Sequence, residues 1–157
     1  MFDIYQPTRV GCSDVCEYLD VHCFEHSWVT SEWDYMLSNP VNDVRLAGVS
    51  KYAPPIGFAA GQQTQHGYYL CKVGVLYKYR RMGVARHLVE EIITACLRRQ
   101  GYDRILATVP EALVNPGKPN DCSRFLSKIG FKATRIVEND MLYLGQRCAA
   151  VYWERML

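Results

Sequence analysis

From Val73 to Arg86 the chain reads Val-Gly-Val-Leu-Tyr-Lys-Tyr-Arg-Arg-Met-Gly-Val-Ala-Arg. A short apolar run ends in a cluster of cations and one glycine, and a long amphipathic helical pattern starts at once. This layout suits an anion such as a pyrophosphate. The first turn of a helix presents N–H groups without intrahelical acceptors and the positive end of the helix dipole. Gly83 lets the backbone approach an anion without a Cβ in the way. Lys78, Arg80, Arg81 and Arg86 gather formal charge around the same point.

A second group, Cys12, Cys16, His22, Cys23 and His26, could suggest a metal. Cys12, Cys16, Leu19 and Cys23 recur at i, i+4, i+7 and i+11, however, which is one face of a helix. Small thiols on a core stripe account for them, because zinc ligands come as tighter pairs on turns. No metal is expected. The seven cysteines follow no disulfide framework and fit reduced thiols.

Charge is segregated along the chain. From Val10 to Val44 there is no Lys or Arg, and that segment carries Asp14, Glu17, Asp20, Glu25, Glu32, Asp34 and Asp43. From Lys72 to Arg104 eight cations face Glu90, Glu91 and Asp103. An enzyme joining an anionic cofactor to a cationic acceptor would look like this, and so would two solvated helix faces. The acidic first third argues against a nucleic-acid-binding module.

The elements that must position these residues follow from periodicity. Phe2 to Arg9 is predicted as a first strand. Gly11 to about His26 and Ser31 to about Leu37 are predicted helices, the latter with Ser31 as cap and Glu32 in an acidic first turn. Val44 to Lys51, Ile56 to Gln62 and Gly67 to Leu76 are strands. Val84 to Gln100 is a helix with Val84, Leu88, Ile92 and their neighbours on one face, ended by Gly101. Ile105 to Val109 is a strand, and Asp121 to Ile129 a helix. Phe131 to Val137 and Cys148 to Met156 are closing strands. The 157 residues suit one domain with a real core, and 49% hydrophobic with 22% charged residues is ordinary for a soluble globule. No apolar run approaches a membrane span, and Met1 to Tyr5 lacks the regions of a signal peptide, so a cytoplasmic location is expected.

The sequence resembles the GNAT family of N-acetyltransferases. Arg-x-x-Gly-x-Ala at Arg80–Ala85 is similar to that family's acetyl-CoA signature. Ile56-Gly57-Phe58 is similar to its Ile/Val-Gly-Phe strand, and Lys128-Ile129-Gly130-Phe131 to the end of its closing helix. The resemblance covers most of the chain. It implies a single α/β (α+β) domain over residues 1–157, with a central mixed, mostly antiparallel sheet of about seven strands flanked by about four helices. It also implies acetyl transfer from acetyl-CoA to a primary amine by direct attack on the thioester. The acceptor would be a small molecule or a protein, no membrane is implied, and a homodimer is allowed. Arg80, Arg81, Met82, Gly83, Val84, Ala85 and Arg86 would hold the cofactor phosphates. The strand at Val73, Gly74 and Val75 would pair with the pantetheine arm and supply an oxyanion donor, with Gly74 permitting a local irregularity.

The amine must lose a proton, and His66 and Glu32 are the candidate bases, beside Tyr68, Tyr69, His22 and His26 as weaker ones. The family's usual tyrosine acid is replaced by Leu126, so Ser123, one turn earlier, is the candidate acid; a capping or solvent-facing serine is its plainer reading. Residues 110–119 form a longer connection than the family's, either a substrate-shaping lid or a surface excursion. Trp28, Trp33 and Tyr35 could wall an acceptor site, with packing as the default. The competing reading is a catalytically weakened binding or structural module on the same fold, and the match at Phe125-Leu126 to GNAT-like proteins of tailed phages leaves a phage origin open.

Overall fold

A computed structural model describes residues 2–8, 12–24, 26–111, 121–143 and 145–157, with only the backbone of Asp121. The elements run β1 (Asp3–Tyr5), α1 (Cys12–Cys23), α2 (Thr30–Ser38), β2 (Asn42–Gly48), β3 (Gly57–Thr64) and β4 (Gly67–Val75). A 3₁₀ turn at Tyr77–Tyr79 leads to α3 (Val84–Arg98), then β5 (Arg104–Pro110), α4 (Asp121–Lys128), β6 (Lys132–Tyr143) and β7 (Gln146–Met156). Among the described residues, seven strands and four α-helices appear in the expected order.

In the first unit, residues 1–100, β1 pairs with β2, β2 with β3 and β3 with β4, all antiparallel. Alternation along the strands makes two faces. Val44, Leu46, Phe58 and Ala60 point to one face and form a core with Cys16 and Leu19 of α1 and Trp33 and Met36 of α2. Trp33 meets Phe58 edge-on, with ring centres 5.5 Å apart, so Trp33 is core and not the wall of an acceptor site. Cys16 sits fully in this core, and burial pushes its thiol up to about 12. α3 covers the other face. Its Leu88 and Ile92 lie where a Cβ on Gly57 or Gly61 would be, at 3.3 and 2.8 Å. Glycine in β3 is thus what lets the helix settle onto the strand.

In the second unit, residues 101–157, β5 and β6 flank β7 as antiparallel neighbours. Leu126, Ile129 and Phe131 are buried where α4 ends, and Arg155 of β7 donates to the Ile129 carbonyl at 2.9 Å.

The differences from expectation have local causes. β6 does not stop at Val137. Glu138-Asn139-Asp140 resembles a turn but forms an irregularity inside the strand, with the register shifting between Val137 and Met141 and Asn139 at φ 53°. The cap of α2 is Val29 rather than Ser31, and Glu32 reaches back to accept the Val29 N–H at 2.9 Å. α3 ends at Arg98 with Arg99 as its cap, and Gly101 follows at φ 102°. Gly11, Glu25 and most of the 110–119 connection lie outside the described residues.

Candidate active site

β4 delivers the chain to the basic cluster. Its pairing with β3 is regular except at Cys71, which is left over between Ala60–Lys72 and Gly61–Leu70. On the β3 side Gly74 itself pairs regularly, opposite Phe58. Gly74 has another reason to lack a side chain. A Cβ there would lie 2.7 Å from the Phe58 ring and 3.0 Å from the Cβ of Cys23, so glycine lets the end of α1 press against β4.

After β4 the backbone turns twice through the left-handed region, at Arg81 (φ 63°) and Gly83 (φ 83°). Glycine adopts this freely, but an arginine there is uncommon and stores strain, a feature found at ligand sites. A Cβ on Gly83 would meet nothing within 4 Å, so the fold itself requires glycine there for conformation and not for clearance. Gly83 is the N-cap of α3 and no side chain caps the helix. The first turn contains no acidic residue, and its first intrahelical bond is His87 N–H to the Gly83 carbonyl at 3.1 Å. The N–H groups of Val84 and Ala85 therefore have no intrahelical acceptor. Lys78, Arg81, Met82 and Arg86 are exposed around this end. Arg80 differs from them. Its Nε donates to the Val75 carbonyl at 2.8 Å and its guanidinium stands 5.7 Å from the Tyr77 ring centre. It braces the turn against the end of β4.

The arrangement leaves open N–H groups and exposed cations at a strand-to-helix junction, chemistry that suits an anion. The other sequence candidates do not gather there. His66 sits in the β3–β4 turn, exposed, with its N–H on Thr64 Oγ1. At roughly 3.3 Å per residue it is more than about 20 Å along β4 from Val75, out of reach of chemistry at that end. Glu32 is occupied as the cap acceptor of α2. Ser123 is 7% exposed on α4, so it is a buried residue and not a solvent-facing one. Leu126 is 3% exposed, inward as expected, while Cys122 and Phe125 are half-buried. Tyr68 is fully buried and donates to Asp43 at 2.6 Å. Burial and that carboxylate push its phenol far upward, which removes it as a base.

The largest feature missed from sequence is an ion pair. Asp20 is fully buried, and Lys72 donates to both its carboxylate oxygens at 2.8 and 2.9 Å and to the His26 carbonyl at 2.9 Å. The Trp28 N–H (2.8 Å) and the Trp33 indole N–H (3.2 Å) complete the carboxylate. Phe24 and Trp28 stand over the ammonium at 4.9 and 4.8 Å. The opposed charges of the acidic and basic segments thus partly neutralise each other. Asp43 does the same with Arg99, and Glu17 accepts from Thr30. The signal was available: Asp20 follows Cys16 by four residues, on the core stripe.

Comparison with known proteins gives the geometry a context. Among solved structures, the chain is similar to the ribosomal-protein-S18-alanine N-acetyltransferase of Escherichia coli (TM-score 0.76, 16% identity, 99% of this chain and 94% of that one). It is similar to NAA60 of Arabidopsis thaliana in complex with acetyl-CoA (TM-score 0.80, 14% identity, 100% and 99%). It is also similar to Arabidopsis thaliana Naa50 in complex with the bisubstrate analogue CoA-Ac-MVNAL (TM-score 0.73, 17% identity, 99% of both). At these identities the likeness is one of fold. No curated protein sequence matches the chain. The model of the acetyltransferase (GNAT) family matches residues 10–115 of the 157, a span that contains β4, both left-handed residues and all of α3. The chain belongs to the GNAT family of acetyltransferases.

Proposed function

We propose that residues 1–157 form one catalytic domain that moves an acetyl group from acetyl-CoA to a primary amine. The observation that carries this reading is the uncapped, acid-free N-terminus of α3 behind the left-handed pair Arg81 and Gly83. Arg81, Met82, Gly83, Val84, Ala85 and Arg86 would hold the phosphates, and Arg80 would hold the turn in shape. The backbone of Val73, Gly74 and Val75 would line the arm. Acetyl-CoA supplies an acetyl group activated as a thioester. The chain supplies orientation and N–H donors.

Neither His66 nor Glu32 is retained as the base, and this bears on the acceptor. With neither of them as base, the neutral fraction of the amine limits its attack. At pH 7 an α-amine of pKa about 7.8 is roughly 14% neutral, and a lysine ε-amine of pKa about 10.4 roughly 0.04%. We therefore favour an α-amine, as on an amino acid or a peptide N-terminus. The alanine acceptor of one similar structure and the peptide of another support this reading. All seven cysteines are free, which suits the reducing cytoplasm; among the described residues no helix is long and apolar enough to cross a membrane.

The test is acetyl-CoA with two peptides, one with a free N-terminus and no lysine, the other N-terminally blocked with one lysine. CoA release with the first and a rate at least tenfold lower with the second is expected. The reverse ranking would defeat the α-amine assignment. One observation favours a second reading, a binding module without turnover: buried Leu126 stands where a tyrosine acid is usual. Acetyl-CoA binding with no CoA release from any amine would establish that reading instead.

A further inference from the structure

α1 carries a carboxylate inward and aromatic side chains outward. Asp20 is fully buried, while Tyr18 and Val21 are 56% and 54% exposed and His22 is exposed beside them. Residues 18, 21 and 22 lie three and four apart, so they share one stripe of the helix. The rings of Tyr18 and His22 stand 4.2 Å apart, and His22 Nδ1 donates to the Tyr18 carbonyl at 2.7 Å, which holds the imidazole against Tyr18. Val29, 56% exposed, joins this stripe. On one side of it the Trp28 N–H donates to Asp20 at 2.8 Å, and on the other the Thr30 hydroxyl donates to Glu17, one turn before Val21.

The solvent-facing stripe of a helix is ordinarily polar, and contiguous apolar surface there marks an interaction site. The surrounding charge says what meets it. Asp14 lies one turn before Tyr18 on the same stripe, Glu32 accepts the Val29 N–H, and Asp34 follows on α2; all three are exposed. No Lys or Arg occurs between Val10 and Val44. Among the described residues no cation stands within ion-pair distance of Asp14, Glu17, Glu32 or Asp34, whereas Asp20 is spent on Lys72. A second copy of the chain would set these carboxylates against their like, and nucleic acid or an anionic lipid surface would be repelled in the same way.

We propose that the outward stripe of α1, together with Val29, docks a cationic segment of a partner protein. An apolar side chain of that segment rests on Tyr18, Val21 and Val29, and its basic groups face Asp14, Glu32 and Asp34. The proposal goes beyond acetyl transfer, because docking here needs no turnover and uses none of the residues assigned to acetyl-CoA.

The test is an NMR titration of the ¹⁵N-labelled chain, without acetyl-CoA, with three short peptides blocked at both ends: alternating lysine and leucine, glutamate and leucine, and lysine and serine. The backbone amides of Tyr18, Val21, His22 and Val29 should move saturably with the lysine–leucine peptide, at a midpoint at least tenfold below that of either control. The double variant Tyr18→Ser, Val21→Ser alters only side chains that are more than half exposed, so it keeps the fold, and should weaken the midpoint at least fivefold. Asp14→Asn with Asp34→Asn should weaken it about threefold and flatten its dependence on salt. An equal midpoint for either control peptide, or an unchanged midpoint in the Tyr18→Ser, Val21→Ser variant, would overturn the proposal. So would shifts at these amides that grow with protein concentration in the absence of peptide, which would make the stripe a contact between two copies.

Discussion

Asp20 and Lys72 are buried together with nearly every donor and acceptor between them in use, whereas Lys78 and Arg81 stand in solvent around a helix end that no side chain caps. In sequence both are charged residues in amphipathic surroundings. What separates them is satisfaction. The first set closes on itself and fastens the α1–α2 connection to β4. The second leaves N–H groups and cations open, and spends backbone strain at Arg81 to do so. Charge that completes itself inside the fold is structural, and charge that stays incomplete at a strained turn is available to a ligand.

The contrast breaks most visibly at the ion pair. Lys72→Met leaves Asp20 buried without its counter-charge, and the loss should be about 3–5 kcal/mol, roughly 10 °C or more in Tm. A change under about 2 °C would show the pair to be dispensable. Salt should divide the two regions next. Between about 0.05 and 0.5 M ionic strength, acetyl-CoA affinity should fall several-fold through screening at the exposed cluster, while the buried pair is screened much less. Affinity insensitive to salt would place the phosphates elsewhere.

Alkaline pH probes the buried side. Burial raises Cys16 to about 12 and Cys71 to about 11. The unfolded chain gives up these protons first, near the ordinary thiol value of 9, so their stabilisation is complete below that pH and is lost progressively as pH rises toward 11–12. Cys71→Ala should flatten the decline in stability between pH 9 and 11 by about 1 kcal/mol, read from urea midpoints across pH. An identical pH profile would contradict its buried state. The smallest effect is expected at Glu32. Glu32→Ala removes a cap acceptor and should cost about 0.5 kcal/mol with kcat unchanged. A tenfold loss of kcat with Tm preserved would return Glu32 to the chemistry.

Much of this was legible beforehand, and what was missed has physical reasons. α3 could be read closely because its apolar face repeats without interruption and a glycine opens it. The cluster before it was legible because charge, glycine and helix start coincide. Strand ends were read poorly at Glu138-Asn139-Asp140, where polar residues that favour turns sit in a strand irregularity held by Arg147 on the Asn139 carbonyl. His66 and Glu32 were drawn from residue type and position in sequence, which say nothing of distance along β4 or of a cap already made. Arg80 looked like its neighbours, yet it turns back to Val75, a choice set by a carbonyl five residues away and not by charge. The Asp20–Lys72 pair joins residues 52 apart, so no local pattern could show both halves.

The most direct test is calorimetric titration of acetyl-CoA into the wild-type chain and into Gly83→Val. Valine cannot easily adopt φ 83° and projects a branched side chain over the helix end. The account predicts saturable binding by the wild type and at least a tenfold weaker constant in the variant, with circular dichroism showing both folded. No heat from the wild type at millimolar acetyl-CoA, or equal affinity in a folded Gly83→Val, would contradict it.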